Sequence, residues 1–238
     1  MGITSFFYFS GQKTADDGRA IKEKAYVAVE GGWNVAVISI DSKKLLKKID
    51  LSEKRDGARV YYMPHNVQVA PDNKTVWVTA NAMGGMTMGN AFDNYDQIIV
   101  IDPVSDTIIK RIDVGKKLML SHIVLIPDNS YALAISQMKD TVYKINAKTF
   151  GVEKQIEVKK GGMPHGLRIS PDGKTAYVAF MNGKSLGILD IEKMTLEEVP
   201  LKGQAVQTGV TPDGKYALAS VYDKKSLAVY EIAGGKLS

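Results

Sequence analysis

The chain has 238 residues, is 45% apolar and 24% charged, and carries a formal net charge of +5 with a pI of about 9.1. That is an ordinary soluble composition with material for a sizeable core, and no apolar run approaches the length of a transmembrane helix. The absence of cysteine excludes disulfides, thiolate metal sites and a cysteine nucleophile.

The first residues, "MGITSFFYFSGQKTADDGRA", hold a short apolar patch without a charged flank and do not read as an intact signal peptide. "TSFFYFS" (Thr4 to Ser10) reads as a strand. It either opens the first repeat or supplies the outer strand that the last repeat lacks. From Ala25 onward, short runs rich in Val, Ile, Tyr and Thr alternate with Gly, Pro, Asn and Asp. No helical period persists anywhere for a dozen residues. The positive charge lies in small groups such as "KKLLKK" (Lys43 to Lys48), without interleaved aromatics. It reads as a solvated basic surface rather than a nucleic-acid interface.

Two markers recur in step. The first is a Pro-Asp-Gly or Pro-Asp-Asn turn between two apolar strands, with aspartates Asp72, Asp128, Asp172 and Asp213 spaced 56, 44 and 41 residues apart. Proline presets φ, aspartate bonds back to the turn, and Gly or Asn accepts positive φ. The second is a strand ending at Asp41, Asp102, Asn146, Asp190 and Glu231, spaced 61, 44, 44 and 41. A period of about 41 to 44 residues with four short strands per unit predicts an all-β propeller of four-stranded antiparallel blades. About five repeats are expected in one domain over 1–238, at 4–52, 53–114, 115–158, 159–202 and 203–238. The ring is either incomplete or closed by the N-terminal strand.

The 61-residue spacing reflects extra residues in the second repeat, "NAMGGMTMGNAFDNYDQ" (Asn81 to Gln97). Met83, Met86 and Met88 project from a glycine-rich loop that also carries Asp93 and Tyr95. Soft thioethers at this spacing suit Cu(I) or a mobile contact with a partner or ligand; packing over a blade is the plain alternative.

All three histidines fall at nearly one repeat position. His65 and His165 lie six residues before Pro71 and Pro171, and His122 five before Pro127. Inner strands of a propeller line its central channel, so His65, His122 and His165 are expected to converge at one mouth of it. There they would bind a transition metal, copper among them, or an organic ligand; otherwise the imidazoles only fix loops through neighbouring carbonyls. No nucleophile elbow, P-loop or His-Glu-x-x-His motif is present.

"SPDGKTAYVAF" followed by "SLGILDIEKMTLEEVPL" resembles the repeats of YVTN-type β-propellers, as do "AYVAVE" and "VWVTAN" with "VAVISID" and "IIVIDP" after them. The resemblance spans roughly Ala25 to Ile232. It is similar to the propeller domains of haem nitrite reductases and nitrous oxide reductase, and to propeller lactonases. Three functions follow as expectations: a binding or scaffold module for a ligand, metal or protein partner, a metal- or haem-dependent redox domain using channel-mouth histidines, and a lactonase-like hydrolase. The resemblance also implies a place outside the cytoplasm, in the periplasm or at the cell surface.

Overall fold

The computed structural model describes residues 6–8, 23–83, 94–233 and 236–237. Among the described residues there is no α-helix, and no helix long and apolar enough to cross a membrane. The strands form five antiparallel sheets whose strand order follows the sequence.

The first sheet holds β1 (Phe6–Tyr8), β2 (Lys24–Val29), β3 (Asn34–Ser39) and β4 (Leu45–Asp50). The second holds β5 (Glu53–Arg55), β6 (Ala58–Val69), β7 (Val76–Met83), β8 (Tyr95–Asp102) and β9 (Thr107–Lys116). The third is β10 (Leu120–Leu125), β11 (Tyr131–Ser136), β12 (Thr141–Asn146) and β13 (Val152–Glu157). The fourth is β14 (Pro164–Ile169), β15 (Thr175–Phe180), β16 (Ser185–Asp190) and β17 (Thr195–Pro200). The fifth is β18 (Ala205–Val210), β19 (Tyr216–Val221), β20 (Ser226–Ala233) and β21 (Lys236–Leu237).

The sheets follow one another in chain order, with β9 running past residue 114 to Lys116. The N-terminal strand belongs to the first sheet, where Phe6 lies opposite Val27 and Tyr8 opposite Ala25. The fifth sheet takes its outer strand from its own β21, with Ile232 opposite Leu237. The second sheet is widened because Glu53–Arg55 folds back on Ala58–Val60. By its contacts the chain divides into two compact units, Met1–Leu120 and Ser121–Ser238.

The four Pro-Asp turns share one hydrogen-bond plan. Asp72, Asp128, Asp172 and Asp213 each accept, through Oδ1, the amide two residues on, at 2.9 to 3.1 Å. The residue after each aspartate adopts positive φ: Asn73 62°, Asn129 61°, Gly173 74° and Gly214 70°. Asn and Gly stand where other side chains would clash. The second marker works likewise at Asp102, Asn146 and Asp190. In the first sheet the position at the end of β3 is filled by Ser39, not Asp41; Ser39 Oγ accepts the Ser42 amide at 3.1 Å.

Alternation along the strands builds the cores. In the second unit, Leu133, Ile135 and Val142 of the third sheet pack on Ala176, Val178, Phe180 and Leu189 of the fourth. The other face of the fourth sheet, with Tyr177, Ala179 and Leu186, packs on Ala217, Ala219 and Val221 of the fifth. Strand β15 is thus buried on both faces, which is why "TAYVAF" reads as an unbroken apolar run. In the first unit, Tyr26, Ala28, Val35 and Val37 pack on Val76, Val78, Ala80, Ile99 and Ile101. The Tyr26 hydroxyl donates to Asp106 Oδ1 at 2.6 Å, and Lys24 pairs with Asp106 Oδ2 at 2.7 Å, joining the first sheet to the β8–β9 turn.

The added strand β5 carries a polar network. Glu53 Oε1 accepts from Arg55 Nε at 2.6 Å, Tyr62 at 2.8 Å and Gln97 at 2.9 Å, while Arg111 Nε stands 3.5 Å from Oε2. Burial pushes the Glu53 carboxyl up. The hydrogen bonds from Arg55 and Tyr62 and the Arg111 charge outweigh it and hold the group below the usual range. Glu53→Gln takes the carboxylate from Arg111 and leaves Arg55 with Asp113 alone, and is expected to cost about 2 kcal/mol in urea unfolding at neutral pH. A depressed folded pKa gives stability that is complete above the unfolded value and lost as pH falls through the folded one. The gap between wild type and variant should therefore close in acid.

Candidate functional site

The first strands of the third, fourth and fifth sheets bring four polar side chains together inside the second unit. His122 is third in β10, His165 and Arg168 are second and fifth in β14, and Gln207 is third in β18. The two imidazole rings stand 5.2 Å apart, centroid to centroid, tilted by 57°. His122 Nδ1 is 3.3 Å from Arg168 Nη1, and His122 Nε2 is 3.3 Å from the Gln207 amide. His165 Nδ1 is 3.0 Å from the Val206 carbonyl. Both rings are buried, with 2% and 5% exposure.

Backbone irregularities aim these side chains. Along β14 the register shifts between Pro164 and Leu167, so His165 and Gly166 together face one residue of β15. Along β18 it shifts between Ala205 and Thr208, so Val206 and Gln207 do the same against β19. Such bulges re-aim a side chain that a regular pleat would send elsewhere. The bulge amide of Gln207 is taken up by Ser220 Oγ at 2.9 Å, and Ser121 Oγ donates to the His165 carbonyl at 3.1 Å. At Gly166 the two strands nearly touch. A Cβ there would lie 2.6 Å from the Val206 oxygen and 2.8 Å from Gln207 Cα, both backbone atoms.

The partners define the protons. A carbonyl only accepts, so His165 carries its proton on Nδ1 and presents Nε2 as the basic nitrogen. A guanidinium only donates, so His122 Nδ1 accepts from Arg168 and the neutral ring is protonated on Nε2. Gln207 suits that ring with its amide turned so that Oε1 accepts. Burial draws the partly buried Arg168 guanidinium below the usual arginine range. An arriving anion would offset that desolvation. A cavity of about 580 Å³, lined by residues including Ser220, Tyr222, Asp223 and Lys225, shares Val206 with the cluster.

Of the expected site residues, His122 and His165 therefore meet. His65 lies in the first unit, in a bulge of β6 between Pro64 and Asn66, and its Nδ1 pairs with Glu30 Oε1 at 2.8 Å. Met83 ends β7 half-exposed, and Tyr95 opens β8 with Lys116 Nζ 5.2 Å over its ring. Met86, Met88 and Asp93 lie outside the described residues. The insertion is shorter than expected, because β7 runs to Met83 and β8 starts at Tyr95. Asp96 is structural: its carboxylate accepts the amides of Ala82, Leu118 and Met119 at 2.7 to 3.1 Å. Among the described residues no group of three His, Cys, Asp or Glu side chains is placed to hold a metal ion. Arg168 was not among the expected site residues. The available signal was a lone charge inside an inner strand, "GLRIS".

No protein-family model matches the chain, and no curated protein matches it either. Solved structures do. One, from Bacteroides fragilis NCTC 9343, is provisionally described as a 6-phosphogluconolactonase. It is 20% identical over 90% of this chain and 65% of its own, with a TM-score of 0.69. A second of the same provisional description, from Bacteroides uniformis ATCC 8492, is 20% identical over 90% and 66%, with a TM-score of 0.71. Hydrazine synthase of Kuenenia stuttgartiensis is 18% identical over 92% and 82%, with a TM-score of 0.56. The chain thus spans slightly under two thirds of the length of the two lactonase-described chains. At these identities the likeness is one of fold: the chain is an all-β protein of propeller type.

Proposed function

We propose that the chain is a YVTN-type β-propeller binding module that takes a small anionic organic ligand at His122, His165, Arg168 and Gln207. The observation that carries this reading is the convergence of two buried imidazoles, a desolvated guanidinium and a glutamine amide from three successive inner strands. Arg168 supplies charge, His122 and Gln207 supply oriented polar edges, and the apolar strands around them exclude water. Isothermal titration with 6-phosphogluconate, gluconate and inorganic phosphate tests it. Saturable binding of a sugar acid, lost in His122→Ala, supports the reading; silence from all three anions contradicts it.

A second reading, lactone hydrolysis, is favoured by the His165 ring, whose Nδ1–H faces the Val206 carbonyl, and by the two lactonase-described structures. His165 would take a proton from water as the oxygen attacks the lactone carbonyl. Arg168 would face the developing oxyanion, and the imidazolium would return its proton to the ring oxygen as the C–O bond breaks. One water is consumed and one hydroxy acid released. His165→Gln keeps a donor toward Val206 but cannot act as a base. A loss of about 100-fold or more in kcat on 6-phosphogluconolactone is expected if this chemistry operates.

Copper or another transition metal at the histidines, and a redox role with it, would need ligands besides His122 and His165. Elemental analysis of untagged protein checks this. Contact of the Met83–Tyr95 segment with a protein partner, and a place outside the cytoplasm, are further proposals carried by the loop's composition and by the repeat resemblance.

A further inference from the structure

The Glu53 carboxylate sits among its donors as a bound anion would. Three of them belong to other strands of the second sheet: the Tyr62 hydroxyl on β6, the Gln97 amide on β8 and the Arg111 guanidinium on β9. Oε1 lies 2.8 Å from the Tyr62 hydroxyl and 2.9 Å from Gln97 Nε2, and Oε2 lies 3.5 Å from Arg111 Nε. Tyr62 and Gln97 are both 0% exposed. The amide and the two guanidinium groups are aimed by partners other than Glu53. Arg111 Nη1 donates to Gln97 Oε1 at 3.0 Å and Gln97 Nε2 donates to Asp113 Oδ1 at 2.8 Å, which fixes the amide with a donor toward Glu53. Arg111 Nη2 donates to the Leu51 and Ser52 carbonyls at 3.0 and 3.3 Å, and the guanidinium lies 5.6 Å over the Tyr62 ring. Arg55, the fourth donor, is tied to Asp113 Oδ1 at 2.6 Å.

Charge points to the same kind of occupant. Without Glu53, the guanidinium groups of Arg55 and Arg111 would share the one carboxylate of Asp113. Burial draws the Arg111 guanidinium below the usual arginine range. Burial, and then the facing Glu53 carboxylate, push the Tyr62 hydroxyl above its usual range and keep it a donor. Buried donors are costly to leave unmet, and an anion satisfies them with charged hydrogen bonds. The anion present is delivered by the three-residue strand β5, whose pairing runs only to Ala58–Val60. We infer that Tyr62, Gln97 and Arg111, with Arg55, form a binding site for a small carboxylate, which this chain fills with its own Glu53. The site uses none of the residues of the histidine cluster and does not rest on the function proposed for it.

Glu53→Ala in the full chain removes a methylene and the carboxylate, and acetate replaces those heavy atoms one for one. Thermal melts at constant ionic strength, with acetate exchanged for chloride, test the site. Half-saturation is expected on the order of 10 mM, and at about ten times that concentration the Tm of Glu53→Ala should rise by roughly 4 °C. Acetamide, the uncharged analogue, should leave it unchanged. Wild type and Glu53→Gln, whose own side chains fill the site, should not respond to acetate. Adding Tyr62→Phe to Glu53→Ala is expected to raise the half-saturating acetate about tenfold or more. If Glu53→Ala is unfolded in chloride, the same titration followed by circular dichroism reads acetate-driven refolding. A Glu53→Ala chain that gains nothing from acetate over chloride overturns the proposal. So does a gain shared equally by wild type, or one that Tyr62→Phe leaves undiminished.

Discussion

Gly166→Val is expected to destabilise the second unit by about 3 kcal/mol or more, lowering Tm by roughly 10 °C. The added Cβ would stand 2.6 Å from the Val206 oxygen and 2.9 Å from the Thr208 nitrogen. These are backbone atoms of β18 with no rotamer to change, so the strand itself must move. That strand holds the carbonyl that orients His165 and the amide that meets His122. The variant should therefore lose ligand binding even where it still folds. Gly209→Val, in the same strand beside a movable Leu218 side chain, is the control; its Cβ would meet Leu218 Cδ1 at 3.3 Å. Differential scanning calorimetry of the two variants should separate them clearly.

Arg168→Leu should do the reverse, weakening ligand binding and sparing the fold. Its guanidinium is the positive charge of the cluster, and charged hydrogen bonds to an anion contribute about 1.5 to 3 kcal/mol, so affinity for a sugar acid should fall roughly 10- to 100-fold. Burial already disfavours the charge. Leucine, shorter and apolar, removes that penalty, and stability in urea should change by less than about 1 kcal/mol. A structural arginine would show the opposite split, with lost stability and unchanged binding.

Much of the fold was legible because each repeat spells its turns chemically. Pro-Asp-Gly requires one backbone path, and β15 to β17 coincide with "TAYVAF", "SLGILD" and "TLEEVP". The N-terminal strand could not be placed from pattern alone, since "FFY" suits either end of the repeat array; pairing with β2 decided it. Ser39 was hidden because Asp41 nearby had the commoner side chain for the role. At the site, the spacing to proline found His122 and His165 but placed them one residue out of register. In the structure two residues of β14, and two of β18, stand against one on the neighbouring strand. A bulge leaves no composition signal beyond a glycine, here Gly166. Arg168 was passed over because its contact with His122 crosses 46 residues of sequence.

The most direct test is a nitrogen-15 histidine NMR titration, with the resonances assigned through His122→Gln and His165→Gln. The account predicts opposite tautomers in the free protein, Nε2–H for His122 and Nδ1–H for His165, and saturable shifts of both rings when 6-phosphogluconate or gluconate is added. Identical tautomers, with neither ring moving for any anion up to about 10 mM, would contradict it.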